Sequence, residues 1–378
     1  MYFPISEEEK MIQMMVAQFA TREVAPGAAA RDESGEFPRE LVAKLAQLGL
    51  CGMMVPPAFG GSGVGVVAYA LAVMEVARAC ASTAVTMCVT NLSCEPLLAF
   101  GTEEQKKRLL APVAAGKMLG AFALTEPEAG SNLTEISCRA EKKGSRYLLR
   151  GTKVFITNGG YAGLTIVLAR TAEGARGLTA FAVEKGFAGF KVGREIHKMG
   201  LRASNTVEIL LEDCEVPEAN RIGGEGEGLR AVTNALYSGR IGISAQATGL
   251  LQACLDEATK YAQERRQFKR PLSGHQAIQW MIAEIATGLE AARLLTLSAA
   301  ALKQRGEPFA REASMAKLFA SETLIRSAYQ ALQIHGGYGY TREFPIERIY
   351  RDARVTTIYE GTSEVQKMVI ARETLKET

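Results

Sequence analysis

Gly151-Thr152-Lys153-Val154-Phe155-Ile156-Thr157-Asn158-Gly159 is the stretch on which the fold turns. Its β-branched and aromatic run, Lys153–Thr157, reads as a strand that Asn158-Gly159 closes in a polar turn. Short runs of the same character flank it at Leu119–Leu124, Arg146–Leu149, Thr165–Ala169, Thr179–Val183 and Thr206–Leu211. Glycines and charged turns such as Glu141-Lys142-Lys143-Gly144 separate them. Spacings of about ten residues with no helical stretch between predict an antiparallel sheet and argue against βαβ units.

Further out, both flanks are helical. Ser6 with Glu9, and Thr102 with Gln105, have capping-box spacing, and Pro38 suits the first turn of a helix running to Leu48. Beyond Gly228, Leu250, Leu251, Cys254, Leu255 and Ala258 make one apolar stripe, and Ile278, Met281, Ile282, Ile285 and Leu289 another. The fold class is therefore α+β. An N-terminal helical domain is expected over 1–118, a middle antiparallel β-domain over 119–227 and a C-terminal four-helix-bundle domain over 228–378.

Composition bounds the function. The chain has 378 residues, 47% apolar and 22% charged, with a net charge of +3, too mild for a nucleic-acid footprint. Its seven cysteines are odd in number, lie among apolar neighbours and show no zinc-ligand spacing, so no metal site is expected and the thiols suit a reducing compartment. Ser6-Glu7-Glu8-Glu9 opens a helix where a signal peptide would have an apolar run. The uncharged stretch Leu45–Met74 is broken by Pro56-Pro57 and four glycines, so it is a buried loop and helix and not a membrane span. A cytoplasmic protein is expected, or the mature form of a mitochondrial-matrix one.

Gly63-x-Gly65-x-x-Ala68 imitates a dinucleotide-binding turn, but no strand precedes it and no acidic strand end follows. Gly116-Lys117 lacks the first glycine of a phosphate loop, Ala111 standing there. The acidic Gly223–Gly228 turn would repel phosphate and reads as a flexible connector.

Four stretches carry chemistry: Phe122–Asn132, Val154–Gly159, Gln333–Tyr340 and Arg351–Glu364. In the last, Glu360 sits between the apolar Val355, Ile358 and Tyr359 and a helix capped by Ser363, with Gln366 three residues on. A carboxylate held in such a pocket becomes a base near neutral pH. The other reading is a charged residue exposed in a loop before a helix.

Tyr359-Glu360-Gly361-Thr362-Ser363-Glu364-Val365-Gln366, with Arg351-Asp352-Ala353-Arg354 upstream, resembles the C-terminal signature of acyl-CoA dehydrogenases. Ala123-Leu124-Thr125-Glu126-Pro127 through Gly130-Ser131, and Gly151 through Asn158, resemble that family's two flavin-strand motifs. The likeness is collinear over essentially the whole chain, and the nearest pattern is the short-chain, butyryl-CoA-like branch.

This resemblance implies FAD as cofactor, held without a dinucleotide fold. It places Phe122, Leu124 and Thr125 along the flavin ring, Gly130 and Ser131 on flavin phosphate and the acyl-CoA pantetheine, and Phe155, Ile156 and Thr157 against the ring. Arg265, Phe268, Gln276 and the loop of Gln333, Gly336 and Gly337 match positions that reach a neighbouring subunit's FAD; Thr362 and Glu364 match further contacts. Tyr237, Ser238, Gly239 and Arg240 would line the acyl-CoA entrance, with Tyr359 and Gly361 beside the substrate.

The implied reaction is α,β-dehydrogenation of a short- to medium-chain acyl-CoA, including branched or cyclic ones. Glu360 accepts the α-proton and flavin N5 the β-hydride, and electrons pass to an electron-transfer flavoprotein from a homotetramer. An acyl-CoA oxidase or flavin monooxygenase on the same fold, and a non-catalytic CoA-binding protein, are the alternatives.

Some relatives place their base just before the residue matching Arg240. Here that position is Gly239, leaving Glu360 as the candidate. The absence of any Arg or Lys between Cys80 and Pro96 disfavours a dicarboxylic substrate. Asn132 replaces the usual aspartate. Glu95, uncommon before Pro96, is expected to face solvent; the other reading has it face inward and reshape substrate choice, even towards a cyclic acyl-CoA. His197, His275 and His335 read as packing residues and Trp280 as core.

Overall fold

Both capping boxes form: Ser6 and Thr102 each accept from the backbone three residues on, while Glu9 and Gln105 reach back. The computed structural model describes residues 4–376. Its first helices are α1 (Glu7–Phe19), α2 (Ala28–Ser34), α3 (Arg39–Gln47), α4 (Gly65–Ala79), α5 (Ala81–Phe100), α6 (Glu103–Gln105) and α7 (Ala111–Ala114). Eight strands follow: β1 (Leu119–Ala123), β2 (Arg139–Lys143), β3 (Arg146–Thr157), β4 (Ala162–Arg170), β5 (Leu178–Glu184), β6 (Phe190–Glu195), β7 (Thr206–Pro217) and β8 (Arg221–Ile222). The chain then returns to helices α8 (Gly228–Glu264), α9 (Gln276–Gln304), α10 (Ala310–His335), α11 (Ile346–Ala353) and α12 (Ser363–Leu375).

The strands pair in the order β6-β7-β3-β2-β4-β5-β8. Most pairs are antiparallel, but β1 runs parallel to β4, as β2 does at the single pair Arg139 and Arg170. The runs at Arg146–Leu149 and Lys153–Thr157 are one strand, with a register shift at Gly151, where a Cβ would stand 2.8 Å from that of Cys138. A second shift between Lys153 and Ile156 turns Phe155 outward. Strands β2 and β6 escape the sequence reading because most of their residues are charged or solvent-facing.

Helix α8 spans 37 residues, about 55 Å at helical rise, and packs on α4, α5, α9 and α10. Its apolar stripe joins Ile285, Leu289, Leu324 and Ala328 in one core, and a second core fills the sheet around Tyr147, Phe181 and Val167. Among the described residues all seven cysteines are free and buried. Leu45–Met74 is the end of α3, a loop and the buried start of α4. Helices α5 and α9 are long and apolar enough to cross a membrane; α5 is a core helix.

Four expectations need correction. Trp280 is 63% exposed, because the apolar stripe of α9 is wider than the part α8 and α10 cover. Glu95 is buried and paired with Lys303, whose long stem reaches in from the end of α9. The acidic turn is pinned, not flexible: Gly224 N–H donates to Glu227 at 2.7 Å, Gly226 N–H to Thr179 Oγ1 at 3.0 Å, and Tyr147 to Glu225. The cap of α12 is Thr362, one residue before Ser363, whose hydroxyl donates to Glu322.

Candidate active site

The turn between α11 and α12 holds Glu360 at φ +53° and Gly361 at φ +91°, two left-handed residues in succession. That turn is gripped from both sides. Gln366, fully buried on α12, donates through Nε2 to the Gly361 carbonyl at 2.7 Å and the Glu360 carbonyl at 3.3 Å. Lys317, buried on α10, donates to the Gly361 carbonyl at 2.8 Å. A Cβ on Gly361 would meet Gln366 Nε2 at 2.7 Å, so a larger residue would disturb the grip.

This backbone aims the Glu360 side chain at α8. A Cβ on Gly239 would stand 2.6 Å from Oε2 of Glu360 and 3.4 Å from Leu92 on α5. Oε2 is sealed from solvent and has no hydrogen-bond partner among the described residues. Burial pushes the carboxyl up to about 7, against the nearby charges of Arg240 and Lys317. The same burial lowers Lys317 to about 8. A carboxylate half-ionised near neutrality, with an unpartnered oxygen, is a proton acceptor held ready.

The surrounding residues are fixed by their own contacts. Tyr359 donates its hydroxyl to Gln246 on α8. Arg240 donates to Ser314 Oγ at 2.8 Å and stacks over the Tyr237 ring at 4.9 Å, and its Nε is buried without a partner among the described residues. Ser238 turns back to its own helix, its hydroxyl 3.5 Å from the Asn234 carbonyl. A groove of about 510 Å³ opens along the start of α8, lined by Leu229, Arg230, Thr233 and Tyr237 with Arg176 across from them. Upstream, Arg351 is structural: it pairs with Asp32 at 2.6 Å and Glu347 at 2.7 Å, while Asp352 accepts the Leu201 N–H.

The β motifs form a second constellation. Leu124 is buried, Phe122 and Thr125 are half-buried, and Phe155 is 65% exposed at φ +60°. Ile156 is buried in the sheet core, with half-buried Thr157 next to it. Sequence reasoning missed what holds these residues together. Lys153 and Glu126, both buried, pair at 2.7 Å; Lys153 also donates to the Leu124 carbonyl at 3.0 Å. Glu126 accepts from the Ser137 N–H, the Ser137 hydroxyl and the Cys138 N–H. Asn158, at φ +66°, donates to the Thr86 and Gly120 carbonyls, tying the strand end to α5 and β1. The available signal was the inward-facing lysine in an otherwise apolar run.

Gly130 and Ser131 are exposed, and a Cβ at Gly130 would meet nothing within 4 Å among the described residues. Arg265, Phe268 and Gln276 face outward at the junction of α8 and α9, as do Gln333, Gly336 and Gly337 at the end of α10. Arg265 lies over the Tyr338 ring at 5.5 Å, which draws the two groups together. Glu364 is exposed in the first turn of α12. His335 stacks on Tyr261 and is held neutral by burial, in keeping with a packing role.

Three family models match the chain: the acyl-CoA dehydrogenase N-terminal domain over residues 6–117, the middle domain over 121–214 and the C-terminal domain over 226–375. An acyl-CoA dehydrogenase of Bacillus subtilis is 46% identical over 97% of this chain and 98% of its own length. The caffeyl-CoA reductase–Etf complex subunit CarC of Acetobacterium woodii is 44% identical over the full length of both. The structure of butyryl-CoA dehydrogenase from Megasphaera elsdenii superposes with a TM-score of 0.97 at 40% identity, over 99% of this chain and 100% of that one.

Proposed function

The chain belongs to the acyl-CoA dehydrogenase family, and from that premise we propose that it desaturates short-chain acyl-CoA thioesters with FAD, Glu360 taking the α-proton. The observation that carries the reading is the Glu360 carboxylate, sealed against α8 with one oxygen unpartnered and its affinity for protons raised to near neutrality.

The residues fit FAD. Open space around Gly130, Gly336 and Gly337 would let backbone approach phosphate closely, and Arg265 would supply a guanidinium fork suited to it. Phe122, Leu124, Thr125, Phe155, Ile156 and Thr157 would meet the ring, with Phe268, Gln276, Gln333, Thr362 and Glu364 completing the site. When bound, FAD supplies the acceptor for the β-hydrogen, which leaves with its electron pair. The exposed Phe268 and Trp280 support a homo-oligomer, proposed as a tetramer, in which these groups meet a neighbour.

The protein's part is alignment and proton handling. Arg176 and Arg230, along the groove at the start of α8, would attract the phosphates of CoA. Glu360 N–H would donate to the thioester oxygen, lowering the cost of the charge that develops there as the α-proton leaves. The carboxyl then keeps the proton, its neutral form favoured by burial. Lys317 and Gln366 hold the turn in place throughout, and the packed α4–α5–α8 surface excludes water.

An electron-transfer flavoprotein is the proposed acceptor, in keeping with the Etf complex named for the Acetobacterium woodii relative. The cytoplasm is the proposed site of action. The test is anaerobic addition of butyryl-CoA to the purified flavoprotein, which should bleach the flavin; electron-transfer flavoprotein should then restore the colour faster than air does. Faster recovery in air would mark an oxidase. A colourless protein that binds CoA without turnover would overturn the reading.

A further inference from the structure

We infer that Tyr69, seated in a notch that Gly242 leaves on α8, closes the acyl pocket and limits the enzyme to short chains; the inference rests on the proposed dehydrogenase reaction at Glu360. Gly239, Gly242 and Gln246 recur at helical spacing and share one face of α8. At the first position the Glu360 carboxylate fills the space a side chain would take. One turn on, a Cβ at Gly242 would stand 2.6 Å from the Tyr69 hydroxyl and 3.5 Å from Cys88 Sγ. A further turn on, Gln246 donates to the Ala81 carbonyl and accepts from Tyr359, so the face is closed.

The opposing helix matches these rungs. On α5, Leu92 lies against Gly239, and Cys88, one turn earlier, lies against Gly242. Tyr69, only 2% exposed on α4, places its hydroxyl beside the Cys88 thiol. Burial pushes that thiol up to about 12, so the end of the pocket carries no charge.

The direction of the acyl chain follows from the two ends of the face. Toward the start of α8 lies the open groove with Arg176 and Arg230, suited to the phosphates of CoA. The acyl tail must therefore run the other way, toward Gly242. Three helical residues rise about 4.5 Å. With carbon–carbon bonds of about 1.5 Å, an extended alkyl chain advances about 1.25 Å per bond, so that is about three to four bonds past the α-carbon before the chain meets Tyr69. A butyryl chain fits this length and an octanoyl chain exceeds it.

The test compares kcat/KM for butyryl-CoA and octanoyl-CoA, together with calorimetric binding of the corresponding 2-enoyl-CoA products, which involves no turnover. Wild type should favour butyryl-CoA. Tyr69→Ala should raise the octanoyl-to-butyryl ratio about tenfold or more and tighten octenoyl-CoA binding, since single methylenes in an apolar pocket already discriminate at that level. Tyr69→Phe keeps the ring and should hold the wild-type ratio. Tyr69→Leu, which preserves more packing, serves if the alanine variant does not fold. An unchanged ratio in a folded Ala or Leu variant, or equal use of both substrates by wild type, overturns the inference. If no acyl-CoA reduces the wild-type flavin, the dehydrogenase reading itself falls, a result the wild-type measurement alone reveals.

Discussion

The Glu360 carboxylate occupies the place a side chain at position 239 would need: a Cβ on Gly239 would lie 2.6 Å from Oε2. Gly239→Ala should therefore displace the carboxylate while leaving the fold intact, because the rest of the turn is anchored by Lys317 and Gln366. Flavin reduction by butyryl-CoA should slow about 10²-fold, the scale of an ångström's misplacement. Stopped-flow reduction under anaerobic conditions measures it; a rate equal to wild type would mean the carboxylate has another seat.

Glu360→Gln removes the proton acceptor and keeps the shape. The variant should purify with its flavin and reduce it about 10³-fold or more slowly, toward the upper range for general bases. Near-normal reduction would remove Glu360 from its proposed role.

The pH dependence has a definite sign. The folded Glu360 carboxyl lies at about 7, above its ordinary value of 4.5. Below 4.5 both folded and unfolded forms hold the proton, so the group contributes nothing. Between about 4.5 and 7 the unfolded chain releases its proton while the native state retains it, so this group lowers stability as pH rises; above 7 the loss is constant. The melting temperature of Glu360→Gln minus that of wild type should climb across that window and then level off. Asp352, also raised by burial to about 7, is common to both proteins and cancels in the difference. Flavin reduction should rise with pH toward a bend near 7.

Lys153→Met leaves Glu126 buried without its cation, a loss of about 3–5 kcal/mol for a pair sealed this well. Urea unfolding should register it, and the flavin should dissociate more readily because Leu124 and Thr125 lose their tether. Adding Glu126→Gln should recover part of the loss. Equal stability of Lys153→Met and wild type would refute a structural role for the pair.

The helical–sheet–helical order was legible because each element carries its own period, and both capping boxes are local motifs. Glu360 stood out because its neighbours are apolar. Properties set by distant segments were not legible. The burial of Glu95 depends on Lys303, 208 positions away, and the exposure of Trp280 depends on how much of α9 its neighbours cover. The Lys153–Glu126 pair spans two motifs that look like separate flavin contacts. The cap of α12 moved by one residue because Thr362, not Ser363, has extended backbone.

Because α10 and α12 clamp the turn that bears Glu360, while α4 and α5 shape the far end of the α8 face, reactivity and selectivity are drawn from different parts of the chain. Substitutions on α4 or α5 can lengthen or reshape the pocket without loosening the base. The division allows a lineage to explore new acyl groups while its proton chemistry stays intact.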